Sequence, residues 1–129
     1  MKPLRYAVVG HPVEHSQSPF IHQRFAELTG RSLLYERVPC APGHFASLLD
    51  RLASDGYAGC NVTVPFKFEV PALCHDVSIR AGLAQAANTV RLDLPGRACD
   101  NTDGIGLVRD VRLHAGRSIA GARVLLIGA

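Results

Sequence analysis

The sequence contains no apolar run approaching the ~18 residues that a membrane span requires. The apolar stretch in MKPLRYAVVGHP is too short for a signal peptide. A soluble, cytoplasmic chain is expected, with no membrane partner. There is no C-x-x-C: Cys40, Cys60, Cys74 and Cys99 stand far apart, which indicates neither a zinc knuckle nor a redox pair. They read as small buried apolar residues in a reducing compartment. There is no G-x-S-x-G, which argues against Ser16 as an acyl nucleophile. Charge of one sign is scarce too. The 14 basic and 11 acidic residues give a net charge of +3 and are spread along the chain, too weak a pattern for a nucleic-acid footprint. The six histidines form no metal set, since His11 and His15 are four apart but Pro12 breaks any helix between them. Repeats, low-complexity tracts and linkers are absent.

Lysine is the scarcest of the charged residues. Of the 14 basic residues only Lys2 and Lys67 are lysines. Lys2 is terminal, whereas Lys67 ends the apolar-polar stretch GCNVTVPFK. A compact, titratable ammonium can serve there where a guanidinium would not.

What is present is enough for one domain with its own core: 129 residues, 47% of them hydrophobic. Strand and helix patterns alternate. Residues 6–9 read as a buried strand ended by the turn GHP. Ser18 and Pro19 open a helix as N-cap and first residue, with Ile21, Phe25 and Leu28 inward and Gly30 as stop. Residues 33–38 read as a strand. Phe45, Leu48, Leu49 and Leu52 mark a second helix. Residues 59–64 alternate: Cys60, Val62 and Val64 face one side, Asn61 and Thr63 the other. Pro65 is expected to start a helix through Lys67 and Val70. Residues 78–86 read as a short helix with Ile79 and Leu83 inward. Residues 88–93 and 97–100 form a hairpin, and NTDG (101–104) caps a helix running to about residue 115. The fold class expected is α/β: a three-layer α/β/α sandwich with a mostly parallel sheet plus an antiparallel hairpin strand. Residues 123–127 read as a last apolar strand entering a Gly turn at Gly128. That is either the start of a dinucleotide-binding unit or a plain edge strand.

Three polar clusters fall where loops leave strands, the position at which open α/β sheets bind ligands. The first holds Ser16 and Ser18 beside a helix start. Hydroxyls and free N–H groups there suit a carboxylate or phosphate, although Ser18 serves equally as a simple N-cap. In the second, Asn61, Thr63 and Lys67 are spaced to point into one crevice, unless Lys67 only snorkels to water. The third combines Asn88 with Asp103. Alone, Asp103 is a helix-start acid. Paired with Lys67, it makes a proton relay for a hydroxyl that becomes a carbonyl.

Together these motifs resemble the shikimate dehydrogenase family, in particular its N-terminal substrate domain. The segments that carry the resemblance are GHPVEHSQSPFIHQRFA (10–26), GCNVTVPFK (59–67), AANTV (86–90), DNTDGIGL (100–107) and RVLLIGA (123–129), in the family's order. The resemblance implies that Ser16 and Ser18 bind the substrate carboxylate. It implies that Lys67 is the catalytic lysine with Asp103 its paired aspartate, and that Asn61, Thr63 and Asn88 hold ring hydroxyls or shape the pocket. The reaction implied is reversible reduction of 3-dehydroshikimate to shikimate with NADP(H), on the way to chorismate and the aromatic amino acids. Residues 1–115 would be the substrate domain. Residues 116–129 would be a linker and the first strand of a truncated NADP-binding domain, with Gly128 the start of its Gly-rich turn. This chain alone is then expected not to hold NADP. The exposed strand 124–127 could pair two copies into a homodimer. A stand-alone, non-catalytic module for shikimate- or quinate-like acids is the alternative from another class, and quinate dehydrogenase the nearer variant. Two positions depart from the family. His11 stands where it has Asn, which bears on the side-chain hydrogen bonds of that turn. Gln85 stands where it has Gly, and a side chain there is expected to crowd the backbone beside Asn88.

Overall fold

The apolar run 6–9 becomes the centre of β1 (Leu4–Gly10), and the rest of the sheet is built outward from it. The computed structural model describes residues 2–128. The other elements, in order, are α1 (Ser18–Thr29), β2 (Leu33–Pro39), α2 (Phe45–Ser54), β3 (Tyr57–Val62), β4 (Asp76–Val77), α3 (Ile79–Ala84), β5 (Thr89–Arg91), β6 (Ala98–Asp100) and α4 (Asp103–Leu113). The six strands make one sheet in the order β2-β1-β3-β5-β6-β4. β1 runs parallel to β2 and to β3, and β4 parallel to β6. β5 pairs antiparallel with β6, which is the expected hairpin, and also antiparallel with β3.

Alternation along β1 gives the sheet two different faces. Ala7 and Val9, with Cys60 and Val62 beside them in register, face α2. There Phe45, Leu49 and Leu52 close over them, and the rings of Phe45 and Phe66 stack at 4.9 Å. Each such side chain taken fully from water contributes about 1.5–3 kcal/mol. Tyr6, Val8, Tyr35 and Asn61 occupy the opposite face under α1. Helices thus lie on both faces, as the α/β/α reading requires.

Several local expectations fail for identifiable reasons. Residues 65–70 are not a helix. Thr63 O accepts from the Phe66 amide, Phe66 O from Glu69 and Val70 O from Leu73. These i→i+3 bonds make successive turns leading into a 3₁₀ turn at Pro71–Leu73, because Phe66 and Val70 are both drawn fully into the core. β3 stops at Val62, so Val64 leaves the sheet and is exposed. In α3 it is Ala81 that is buried, while Ile79 and Leu83 are 86% and 82% exposed. The helix is six residues long, and positions two apart point in nearly opposite directions. α1 covers only the β1 and β2 side of the sheet. It buries Ala26 and leaves Ile21, Phe25 and Leu28 exposed. β4, two residues long, has no periodicity by which sequence could reveal it. The strand expected at 123–127 is not formed: the described residues after Gly121 have no strand partner, and Val124, Leu125, Leu126 and Ile127 are exposed. A strand needs a neighbouring backbone for its hydrogen bonds, and none of the described residues supplies one to this segment.

Candidate functional site

The ends of β1 and β3 lie side by side. The Thr63 amide donates to Val9 O at 2.9 Å and the His11 amide to Val64 O at 3.0 Å. These two bonds join the first polar loop to the second. Gly10 allows the approach, because a Cβ there would sit 2.4 Å from Thr63 Cγ2. The His11 side chain is exposed and makes no hydrogen bond among the described residues, so this turn is tied by backbone groups and not by the side chain at position 11.

Ser18 is the first residue of α1 and not its cap. Gln17 holds the cap position without a side-chain bond. Ser16 Oγ accepts from the Ser18 amide at 3.2 Å and donates to Ser18 Oγ at 3.1 Å. The two hydroxyls therefore sit together at a helix N-terminus, where free N–H groups favour an anion. His22, one turn along α1, bonds Ser18 O through Nδ1 at 2.9 Å. Its ring stacks on Tyr35 at 4.2 Å.

Tyr35 donates to Asn61 Oδ1 at 2.6 Å. Burial pushes its phenol well above the ordinary value, so it stays protonated and able to donate. Asn61 Nδ2 in turn faces Asn88 O at 3.2 Å and Thr89 Oγ1 at 3.3 Å. That fixes which way the amide points and leaves one lone pair of Oδ1 for a ligand hydroxyl.

Lys67 stands in the second turn after β3 and does not itself sit in a helix. Its carbonyl accepts from the Ala87 amide at 2.9 Å, which ties this turn to the segment carrying Asn88. Asn88 spans the gap to α4. Its Nδ2 donates to Thr102 Oγ1 at 2.8 Å and to Asp103 Oδ1 at 3.1 Å, and its Oδ1 accepts from the Thr102 amide at 2.9 Å. Asp103 is the first residue of α4, favoured there by the dipole. Lys67 Nζ donates to its Oδ2 at 2.7 Å. The two side chains are 29% and 50% exposed, so the pair can meet a ligand and contributes only about 0.2–1 kcal/mol to stability.

Ser16, Ser18, Asn61, Thr63, Lys67, Asn88 and Asp103 all line one cleft of about 520 Å³. Its size suits a small ligand. A neighbouring groove of about 570 Å³ on the α1 face holds neither Ser16, Ser18 nor the ion pair. The sequence reading placed His15 and Thr102 in the polar clusters without giving them a role, and it missed His22, which lines the cleft, and Tyr35, which reaches it through Asn61. Only His22, four residues after Ser18 on a helix, had a periodic signal. Tyr35 and Asn61 meet across β1, which no local pattern reports.

Gln85 corrects an expectation. It occupies the left-handed region at φ 52° as the C-cap of α3, with its side chain exposed. The departure from Gly strains the backbone and does not crowd Asn88. Among the described residues no group of three His, Cys, Asp or Glu could hold a metal ion, and no helix is long and apolar enough to cross a membrane. Gly128 stands at φ 80° after an exposed unpaired segment, with no helix N-terminus beside it.

Comparison with known proteins gives a consistent result. The family profile "Shikimate dehydrogenase substrate binding domain" matches residues 8–90. The chain is 57% identical over 131 residues to shikimate dehydrogenase (NADP(+)) from Methylibium petroleiphilum, covering 97% of this chain and 45% of that protein. It is 51% identical to the protein of the same name from Acidovorax sp. strain JS42, covering 96% and 44%. The crystal structure of shikimate 5-dehydrogenase from Thermus thermophilus in complex with shikimate superposes with a TM-score of 0.78 at 33% identity, covering 84% of this chain and 42% of that one. The chain spans under half the length of the curated relatives it matches.

Proposed function

The chain belongs to the shikimate dehydrogenase substrate-binding domain family, and from that premise we propose that it is the substrate-holding part of an NADP-dependent enzyme interconverting 3-dehydroshikimate and shikimate. The observation that carries this reading is the 2.7 Å bond between Lys67 Nζ and Asp103 Oδ2, in the same cleft as the paired hydroxyls of Ser16 and Ser18. An acid with several ring hydroxyls meets a matching set of groups there. Ser16 and Ser18, at a helix N-terminus, take the carboxylate. Asn61 accepts from one ring hydroxyl, its orientation fixed by Tyr35, and Thr63 and Asn88 border the rest of the ring. A cleft that bonds each hydroxyl rejects analogues lacking them, because its own polar groups are then left unpaired.

Reduction of the ketone needs a hydride at carbon and a proton at oxygen. The nicotinamide group supplies the hydride. The chain's own residues supply the proton: Lys67 gives one from Nζ to the carbonyl oxygen as that oxygen gains charge, and the reverse reaction returns it. Asp103 holds Nζ in line and stabilises its charged form. Asn88, bonded to Thr102 and Asp103, keeps the carboxylate turned toward the lysine. Residues 1–115 serve as this unit, with the chain beyond them leading toward the cofactor domain. Four unpaired thiols fit a reducing, cytoplasmic setting.

Calorimetric titration of the chain with shikimate tests the reading. One-to-one binding is expected, weakened about tenfold by Ser16→Ala, as for a lost hydrogen bond to a charged group. Absence of binding, or binding untouched by that substitution, overturns it.

A further inference from the structure

The loop that carries Ser16 is held from behind by a charge on the sheet. Arg37 lies on β2, on the same face as Tyr35 and in register with Val8 of β1. Its Nε and Nη2 both donate to the Ser16 carbonyl, at 2.9 and 2.7 Å. A guanidinium can make this planar two-pronged grip and an ammonium cannot. Ser16 is also held through its amide, which donates to Val13 O at 3.1 Å. With its carbonyl and amide both engaged, the residue's hydroxyl is aimed by the backbone and not left to rotate as a loop.

The charge itself has a second consequence. Among the described residues Arg37 forms an ion pair with no carboxylate, whereas Lys67 is matched by Asp103. Within the cleft, the ion pair contributes little net charge at one end. The hydroxyl end therefore owes its positive potential to the α1 N-terminus and to the guanidinium bonded to Ser16. Hydroxyls alone bind a carboxylate, an amide or an ester with similar chemistry. A neighbouring fixed cation distinguishes the ionised acid from its neutral analogues.

We propose that Arg37 is the positioning residue of the anion-binding end, gripping Ser16 by its carbonyl and supplying the charge that makes the end selective for a carboxylate. This rests on the functional reading above and adds the residue that sets its selectivity. Arg37 acts through Ser16 and is not assigned contact with the ring.

The test is titration of the chain with shikimate and with shikimate methyl ester, each at about 50 and about 200 mM salt, a range over which screening of an exposed charge changes. The parent chain should prefer the acid, and the preference should shrink at higher salt. Arg37→Gln should weaken acid binding by about three- to tenfold, weaken ester binding by a smaller factor through the looser Ser16, and flatten the salt dependence. Arg37→Lys, which keeps the charge without the fork, should retain much of the preference for acid over ester. The assignment is overturned if Arg37→Gln binds the acid as tightly as the parent. It is equally overturned if a folded Arg37→Gln loses acid and ester by the same factor, the result of a purely structural role. A parent chain that binds neither ligand refutes the functional reading and this assignment together. A parent that binds the acid alongside unaffected Arg37 variants refutes Arg37 alone.

Discussion

Gly10→Ala tests how closely the first two loops of the site depend on each other. The new Cβ would lie 2.4 Å from Thr63 Cγ2 and 3.3 Å from Val64 O. Ordinary contact begins near 3.4 Å, so the methyl overlaps Thr63 by about 1.0 Å (3.4 minus 2.4). Thr63 cannot easily yield. Its amide is bonded to Val9 O at 2.9 Å, and a β-branched side chain has few χ1 wells to escape into. Overpacking of this kind costs about 1–3 kcal/mol. For a chain of this size that is a fall in Tm of about 3–12 °C. The cleft should suffer beyond stability, since Thr63 lines it and a misplacement of about 1 Å can cost up to ~10²-fold in function. Shikimate binding measured by calorimetry well below the new Tm should weaken by about tenfold or more. Gly82→Ala is the control. It lies in α3 with nothing within 4 Å of the added Cβ, so it should be neutral or raise Tm slightly through helix propensity. If Gly10→Ala melts with the parent and binds shikimate as tightly, the close approach has no structural or functional weight.

Three further outcomes follow from particular contacts. Tyr35→Phe removes the donor to Asn61 Oδ1, one of the three bonds that hold that amide; shikimate affinity should fall about fivefold, the worth of one such bond, and unchanged affinity in calorimetry would count against the role given to Tyr35. Gln85→Gly relieves a left-handed backbone at φ 52° and should raise stability by about 0.5–1 kcal/mol in a thermal melt; a lowered Tm contradicts the strain. Asp100 is held well below the usual carboxylate range, first by Arg80 and then by Ser78. Its folded pKa lies below its unfolded one, so its contribution to stability is complete above about pH 5 and is lost as pH falls through 4 and below. Melts from pH 8 to 2.5 should show this decline, smaller in Asp100→Asn; superimposable curves for the two proteins would refute it.

Much of the site was legible because short-range rules specify it. Alternation in GCNVTVPFK puts Asn61 and Thr63 on one face, and β3 realises that over the residues it spans. NTDG reads as a helix start, and Asp103 begins α4. The hairpin at 89–100 followed from its turn residues. What failed depended on long-range packing. Residues 65–70 carry a pattern compatible with a helix, yet burial of Phe66 and Val70 draws them into turns. Ile79 and Leu83 look like an inward stripe, but the small Ala81 is what fits against the sheet. The bond from Tyr35 to Asn61 and the grip of Arg37 on Ser16 join strands and loops more than 20 residues apart in sequence, where no periodicity applies. The resemblance supplied the roles of Ser16, Ser18, Lys67 and Asp103. The structure supplies the residues that orient them.

The central claim is that Lys67, held by Asp103, moves the proton while Ser16 and Ser18 only bind. The most direct test replaces the matching part of the Methylibium petroleiphilum relative with this chain and measures NADPH-dependent turnover of 3-dehydroshikimate. Lys67→Ala should lower kcat by about 10²–10⁴ with little change in KM, and Ser16→Ala should mainly raise KM. A Lys67→Ala chimaera that keeps its kcat and loses only thermal stability would contradict the account.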